Sequence, residues 1–157
     1  MLWKKIKKIE FKNVDECLKK LKKKSFLSPW IIDIFNKRKK VSYKKYQNLE
    51  IHRITVKNLG FTKPTILRKI YKTLKKKNYL LVNPELALYL RIIYKKQPTG
   101  EWLRIAVPFK SMIDSDGVPH LPKLGRALKK NFLETYWSYP KAVFHPHNDF
   151  LVIKKKK

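Results

Sequence analysis

From Phe61 to Glu85 the chain passes through three patterns in succession. Apolar residues at Ile66, Leu67, Ile70, Tyr71 and Leu74 recur with the 3.6-residue period of a helix laid on a core, while Arg68, Lys69, Lys72, Lys75, Lys76 and Lys77 fill the other side. Thr62 is placed to cap this helix, and Pro64 falls in its first turn, where a missing N–H costs nothing. Tyr79, Leu80, Leu81 and Val82 then show no polar alternation, which predicts a strand covered on both faces. Asn83-Pro84-Glu85 follows and sets a carboxylate beside the most basic stretch of the chain.

Beyond Pro84 the alternation is strict. Leu86, Leu88, Leu90, Ile92 and Tyr94 interleave with Ala87, Tyr89, Arg91 and Ile93, and Leu103, Ile105, Val107 and Phe109 alternate again after Gln97-Pro98-Thr99-Gly100. This predicts an antiparallel hairpin in which Lys96 faces Glu101 and both apolar rows share one face.

Upstream, Trp3 to Phe11 mixes Lys pairs with Trp3, Ile6, Ile9 and Phe11, ending in a short strand. Asn13 with Glu16 forms an Asx-type capping box, with Asp15 in the same first turn, for a helix striped by Val14, Cys17, Leu18 and Leu21. Cys17 on that stripe reads as a buried small hydrophobe. Ser28-Pro29 starts a second helix carrying Trp30, Ile31, Ile34 and Phe35, with Asp33 solvated on its far side. Leu49 to Lys57 is rich in β-branched residues and predicts a strand. Downstream, Asp116-Gly117 marks a turn, and Leu124, Leu128, Phe132 and Tyr136 predict a last helix. Ala142 to Phe144 and Phe150 to Ile153 predict short strands around His145-Pro146-His147-Asn148, and the run 154–157 is expected to be a disordered basic tail. The whole is an α+β fold with an antiparallel or mixed sheet flanked by helices, in a single domain over 1–157.

Lys plus Arg number 39 against 11 Asp plus Glu, a net charge of +28 spread over the whole length. A polyanion is the expected partner, and nucleic acid the first choice. An AT-rich genome or a hot habitat would account for the Lys but not for so few acids. No apolar run approaches the ~20 residues of a membrane span, and the start has no signal-peptide apolar region, so the expectation is a soluble intracellular protein. A single cysteine excludes an internal disulfide and a cysteine-based zinc finger, and four Gly include no P-loop or dinucleotide fingerprint.

Where acids are scarce, one inside an apolar region carries weight. The predicted hairpin, extended backward, places Glu85 opposite Met112 and two residues from Asp114 on the same face. At the roughly 5–8 Å of such neighbours the two carboxylates could share a divalent cation of the magnesium type. A metal so held polarises a phosphoryl oxygen or activates water, with Arg91 and the Lys75 to Lys77 run stabilising the developing charge. Asn83-Pro84-Glu85 is also a good helix start. Asp114-Ser115-Asp116-Gly117 reads first as an ordinary turn, and His145-Pro146-His147 with Asp149 first as a rigid turn and only second as a metal or acid cluster. His120, between two prolines, carries no signal. Lys37-Arg38-Lys39-Lys40 and Lys44-Lys45, with Tyr43 and Tyr46 between, read equally as a loop that tracks phosphates and stacks on bases or as a solvated charge run.

Two resemblances follow. Leu59-Gly60-Phe61-Thr62-Lys63-Pro64-Thr65-Ile66-Leu67-Arg68-Lys69-Ile70 resembles the turn and recognition helix of winged helix-turn-helix regulators, with the hairpin from Leu86 to Phe109 as wing. That implies a non-enzymatic DNA-binding regulator in which Lys63, Thr65, Arg68 and Lys69 face the major groove. The chain as a whole, in its length, its Lys and Ile-rich texture and the Asn83-Pro84-Glu85 to Phe109 core, is similar to the small nucleases of lipothrixviruses, filamentous viruses of archaea such as Acidianus. This resemblance implies an α+β fold remotely like nucleotidyltransferases, cleavage of linear double-stranded DNA in the host cytoplasm, and one essential glutamate, for which Glu85 is the carrier. The nucleotidyltransferase Gly-Ser loop with paired strand aspartates is absent from the chain. A viral DNA-packaging protein that coats DNA through charge alone is the remaining alternative. The expected site is Glu85 for catalysis, Glu85 and Asp114 for magnesium, and Lys63, Thr65, Arg68, Lys69, Lys72, Lys75, Lys76 and Arg91 for DNA.

Overall fold

The computed structural model describes residues 1–156. In chain order the elements are β1 (Leu2–Lys8), α1 (Val14–Lys24), β2 (Phe26–Leu27), α2 (Pro29–Asn36), β3 (Gln47–Thr55), a 3₁₀ turn (Lys57–Leu59), β4 (Thr65–Ile66), α3 (Leu67–Lys76), β5 (Tyr79–Leu80), α4 (Pro84–Ile93), β6 (Trp102–Ile105), β7 (His120–Ala127), β8 (Lys130–Trp137), β9 (Val143–Phe144) and β10 (Asp149–Lys154). An α+β fold results, built on a mixed sheet of order β1-β3-β10-β6-β7-β8-β2, with β5 pairing β10 and β4 pairing β9 separately. The parallel joints are β10 with β6 and β2 with β8.

Register shows how this sheet divides the molecule. Leu27, Leu133, Leu124 and Leu103 stand side by side in four successive strands and are buried. Strand side chains alternate, so the next row, Phe26, Phe132, Gly125 and Trp102, lies on the opposite face. The Leu row faces the helices, with α4 and α2 packed on β7 and β8 and α1 packed on α4. The other face is covered at one end by Phe144, which packs on Tyr136 and Phe150, and is half-open at the Phe26 end.

Several sequence expectations hold. Asn13 caps α1 by accepting from the Glu16 amide at 3.1 Å, and the Glu16 carboxylate reaches back to the Lys12 amide at 2.8 Å. Ser28 caps α2 with Pro29 following, and Cys17 is fully buried. The basic helix exists as α3, with Leu67, Ile70, Tyr71 and Leu74 buried, although it begins at Leu67 with Ile66 as its cap, so Thr62 and Pro64 lie in the approach to it.

Other expectations are overturned. The stretch from Pro84 to Ile93 is a helix, so there is no hairpin from Leu86 to Phe109. Leu86, Ala87, Leu88, Leu90 and Arg91 are buried and Tyr89, Ile92 and Ile93 half-buried, so α4 has no exposed polar side and no polar stripe marks its period. The predicted helix from Leu124 to Tyr136 is the β7–β8 hairpin. Its two-residue turn is Leu128-Lys129, at φ 50° and 61°, where Asn-Gly would be the readable signal. The winged helix-turn-helix arrangement is absent among the described residues, since β3 and one 3₁₀ turn precede α3 and a helix follows it in place of a wing. At the end of the chain, Lys154 closes β10 and pairs with Tyr79, while Lys157 lies outside the described residues.

Candidate active site

Asn83, extended at φ −70°, ψ 143°, gives way to Pro84 at the first position of α4, which leaves Glu85 in the first turn. A carboxylate there gains from the positive end of the helix. Glu85 is 2% exposed, yet both its oxygens are engaged. Oε1 accepts from the Tyr46 hydroxyl at 2.5 Å, and Oε2 accepts from Arg38 Nη2 at 3.1 Å. The Tyr43 hydroxyl donates to the Glu85 carbonyl at 2.6 Å.

These partners arrive on the loop between α2 and β3. That loop is pinned to the start of α1 by the Val14 amide on the Val41 carbonyl at 2.9 Å and the Tyr43 amide on the Lys12 carbonyl at 3.2 Å. Arg38 reaches on to the Ser111 carbonyl at 3.4 Å. Asn83 Nδ2 donates to the Tyr46 hydroxyl oxygen at 2.9 Å. The Tyr46 oxygen therefore gives its proton to Glu85 and spends one lone pair on Asn83, and its second lone pair has no protein partner among the described residues. Burial, and then the Glu85 acceptor, hold the Tyr46 phenol above its usual range. Burial likewise pushes the neighbouring Cys17 thiol up to about 12, which makes it inert.

Tyr46 and Tyr43 line a groove of about 710 Å³. Lys8, Lys12 and Lys44 contribute to its lining, as do Glu10 and Glu16. The arrangement can move a proton between a buried carboxylate and a polar group in the groove, next to cations that suit a phosphate.

A second buried pair lies in the turn before β7. His120 Nε2 contacts Asp114 Oδ2 at 2.8 Å and His120 Nδ1 contacts Thr135 Oγ1 at 3.0 Å. Asp114 Oδ1 also accepts from the Asp116 and Val118 amides at 2.8 and 2.9 Å. His120 and these two amides, in that mix of donors with His120 foremost, hold the Asp114 carboxyl below the usual carboxylate range. Asp33 is not the solvated group expected on α2: it accepts from the Ser115 hydroxyl and amide at 2.6 and 2.8 Å and ties the same turn to the helix. His145 and His147 stack at 5.7 Å across a turn closed by the Asn148 side chain, while Asp149 is bound to Arg53 at 2.8 Å.

The shared metal site expected of Glu85 and Asp114 rested on a hairpin register that does not exist, and each carboxylate keeps its own partners. Among the described residues there is no group of three or more His, Cys, Asp or Glu side chains placed to hold a metal ion. Lys63, in the approach to α3, and Arg68, Lys69, Lys72, Lys75 and Lys76 on it are exposed. Thr65 is buried, with its hydroxyl on the Lys63 carbonyl at 2.8 Å. Arg91 is 1% exposed and cannot touch DNA. Its guanidinium joins the end of α4 to Gln97 Oε1 at 2.7 Å and to the Gly125 and Phe132 carbonyls at 3.1 and 3.0 Å, and burial lowers its pKa to about 10, which still leaves it charged.

Arg38 and Tyr46 were legible only as members of a basic and aromatic loop, because they lie 47 and 39 positions from Glu85 and no local pattern links them. His120 had no signal at all, although its six-residue distance from Asp114 across the Ile113–Pro119 bridge is local.

Salt bridges show where the scarce acids went. Among the described residues only Lys19, Arg38 and Arg53, of 39 Lys and Arg, lie within salt-bridge distance of a carboxylate. Between His52 and Pro84 there is no acidic residue, and α3 lies inside that span. No helix among the described residues is long and apolar enough to cross a membrane. Comparison with known protein families, curated proteins and solved structures gives no match.

Proposed function

We propose that the protein is a deoxyribonuclease that holds linear double-stranded DNA on its basic surface and cleaves it with Glu85 as the essential carboxylate. The observation that carries this is the Tyr46–Glu85 hydrogen bond at a groove where Lys8, Lys12 and Lys44 outnumber Glu10 and Glu16. Glu85 is too buried to meet a phosphate itself, so it acts through Tyr46. As water attacks phosphorus, its proton passes to the free lone pair of Tyr46 while the Tyr46 proton passes to Glu85; the ester bond from phosphorus to the deoxyribose oxygen then breaks, and the proton held by Glu85 returns through Tyr46 to that leaving oxygen, which restores both side chains. The raised Tyr46 pKa favours this concerted transfer over a standing tyrosinate. Arg38 pairs with Glu85 and fixes the orientation of its carboxyl, and the groove lysines stabilise the phosphorane. A magnesium ion, where one takes part, would bind with oxygens of the DNA and neutralise the same charge.

The reading agrees with the resemblance to lipothrixvirus nucleases, whose remote likeness to nucleotidyltransferases would make this sheet a distant relative of theirs and would place the activity inside an archaeal host cell. The test is incubation of wild type and Glu85→Gln with linear duplex DNA, with magnesium and with a chelator. Loss of DNA with wild type alone supports it, and the chelator lane decides the metal. Intact, merely retarded DNA in every lane refutes it.

The excess of unpaired cations favours a second reading, a protein that coats DNA without cutting it. It predicts retardation without cleavage and no effect of Glu85.

A further inference from the structure

The half-open face of the sheet carries a row of aromatic rings that neither the groove nor α3 uses. Phe26, on the edge strand β2, is 49% exposed and lies 5.1 Å, centroid to centroid, from Phe132 on β8. Phe132 lies 6.2 Å from Trp102 on β6. Between them sits Gly125, and a Cβ there would come within 2.1 Å of the Trp102 ring, so the indole lies flat across the glycine. The Lys123 amine stands 5.1 Å from the Trp102 centroid and 5.7 Å from that of Tyr136. In this register Glu134 faces Lys123, and its carboxyl is pushed up by burial.

At the Phe26 edge of the sheet lies a trough of about 370 Å³ lined by Phe26, Lys129 and Lys130 together with Lys23 and Lys24 from the end of α1 and Arg126 from the helix side of β7, with no acidic side chain in its lining. The trough ends at the β7–β8 turn, whose Leu128 is 85% exposed at φ 50°, a left-handed conformation that is costly for a leucine.

Rings in a line beside a track of cations are what a flexible unpaired strand requires: π-faces for successive bases and positive charge for the backbone that joins them. A duplex cannot use the rings, because its bases are already stacked on each other. We propose that the open face of β6, β7, β8 and β2 is a second nucleic-acid surface, one that binds single-stranded DNA with unpaired bases stacked on Phe26, Phe132 and Trp102 and phosphates in the Lys23 to Lys130 trough. The choice of DNA over RNA rests on the proposed function; the single-strand preference does not, and neither requires cleavage.

The test is equilibrium fluorescence anisotropy with labelled strands of about 15 nucleotides, near the upper site sizes of such platforms: oligodeoxyuridine, the same length of abasic deoxyribose-phosphate, oligouridine, and a duplex. Wild type should bind oligodeoxyuridine at least about fivefold more tightly than the abasic strand, from stacking on one base or more. Phe26→Ala, at an exposed position, should remove most of that margin while leaving the abasic strand and the duplex unchanged. Lys129→Gln with Lys130→Gln should weaken the base-bearing and abasic strands alike. Equal binding of base-bearing and abasic strands by wild type overturns the proposal without reference to any variant. An equal loss of duplex and single strand in Phe26→Ala, or no loss, also overturns it. Oligouridine bound about tenfold more tightly than oligodeoxyuridine overturns the assignment to DNA. Gel electrophoresis of the recovered probes shows whether any was cut, which keeps failure of the nuclease reading separate from failure of this one.

Discussion

The Tyr46 hydroxyl donates a 2.5 Å hydrogen bond to Glu85 Oε1, and the two residues are 39 positions apart in the chain. If Glu85 acts through this bond, Tyr46→Phe should lower the cleavage rate by about a hundredfold or more, the range of a positioned proton-transfer group. Its effect on stability should stay at about 1–3 kcal/mol, because one buried acceptor loses a donor. Cleavage rates and circular dichroism at one temperature separate the two. Wild-type rates in a folded Tyr46→Phe protein would rule out the relay.

Glu85→Ala removes the only carboxylate within salt-bridge distance of Arg38 among the described residues. Breaking a buried pair leaves an uncompensated charge, but Arg38 is partly exposed and water can reach it. We expect a loss of about 2–3 kcal/mol, at or below the low end for buried pairs. Urea unfolding measures it, and Glu85→Gln, which keeps the shape, should lose less while cleaving no better.

Lys69, Lys72 and Lys76 are exposed on α3, with no acid between His52 and Pro84. Each one that contacts a duplex phosphate should contribute about 0.9 to the slope of log affinity against log salt. The triple change to Gln should therefore flatten the slope by up to about 2.7. Arg91→Met should leave that slope unchanged and lower stability instead, since Arg91 is spent on carbonyls at the end of α4. A changed salt slope in Arg91→Met would contradict its placement.

Leu128 and Lys129 both sit at positive φ in a two-residue hairpin turn. Asn-Gly suits that conformation and Leu-Lys does not, so Leu128→Asn with Lys129→Gly should stabilise the protein by about 1 kcal/mol, visible as a raised melting temperature. An unchanged or lowered melting temperature would show that the turn carries no strain.

Hydrogen bonds, chiefly from His120, hold the Asp114 carboxyl below its unfolded value of about 3.9. The Ser115 hydroxyl and amide do the same for Asp33. The unfolded chain thus takes up these protons at higher pH than the folded one. The stabilisation is fully present above about pH 4 and is lost as pH falls through the depressed folded values. Asp114→Asn should be less stable than wild type at pH 7, and the gap should narrow below about pH 4, read from urea midpoints at each pH. A gap that stays constant to pH 2 would exclude Asp114 as the source.

The sequence by itself determined the elements whose signals are local. Asn13 and Ser28 cap their helices, the Leu67 to Leu74 stripe buries one side of α3 and leaves its lysines outside, and the surplus of cations over acids is fixed by composition alone. What it misread were elements whose neighbours are supplied from elsewhere. Helix α4 is buried over most of its surface and half-buried at Tyr89, Ile92 and Ile93, so its period has no polar face to display, and Leu86, Leu88 and Leu90 imitate a strand. The β7–β8 hairpin turns on Leu128-Lys129, and residues four apart imitate a helix. Glu85 stands out in the sequence as a carboxylate beside a basic stretch, but whether it faces solvent, a metal or a tyrosine depends on where the loop from Lys37 to Tyr46 folds. Only tertiary structure decides that, because a buried charge takes whatever donors the packing brings within about 3 Å, however distant they are along the chain.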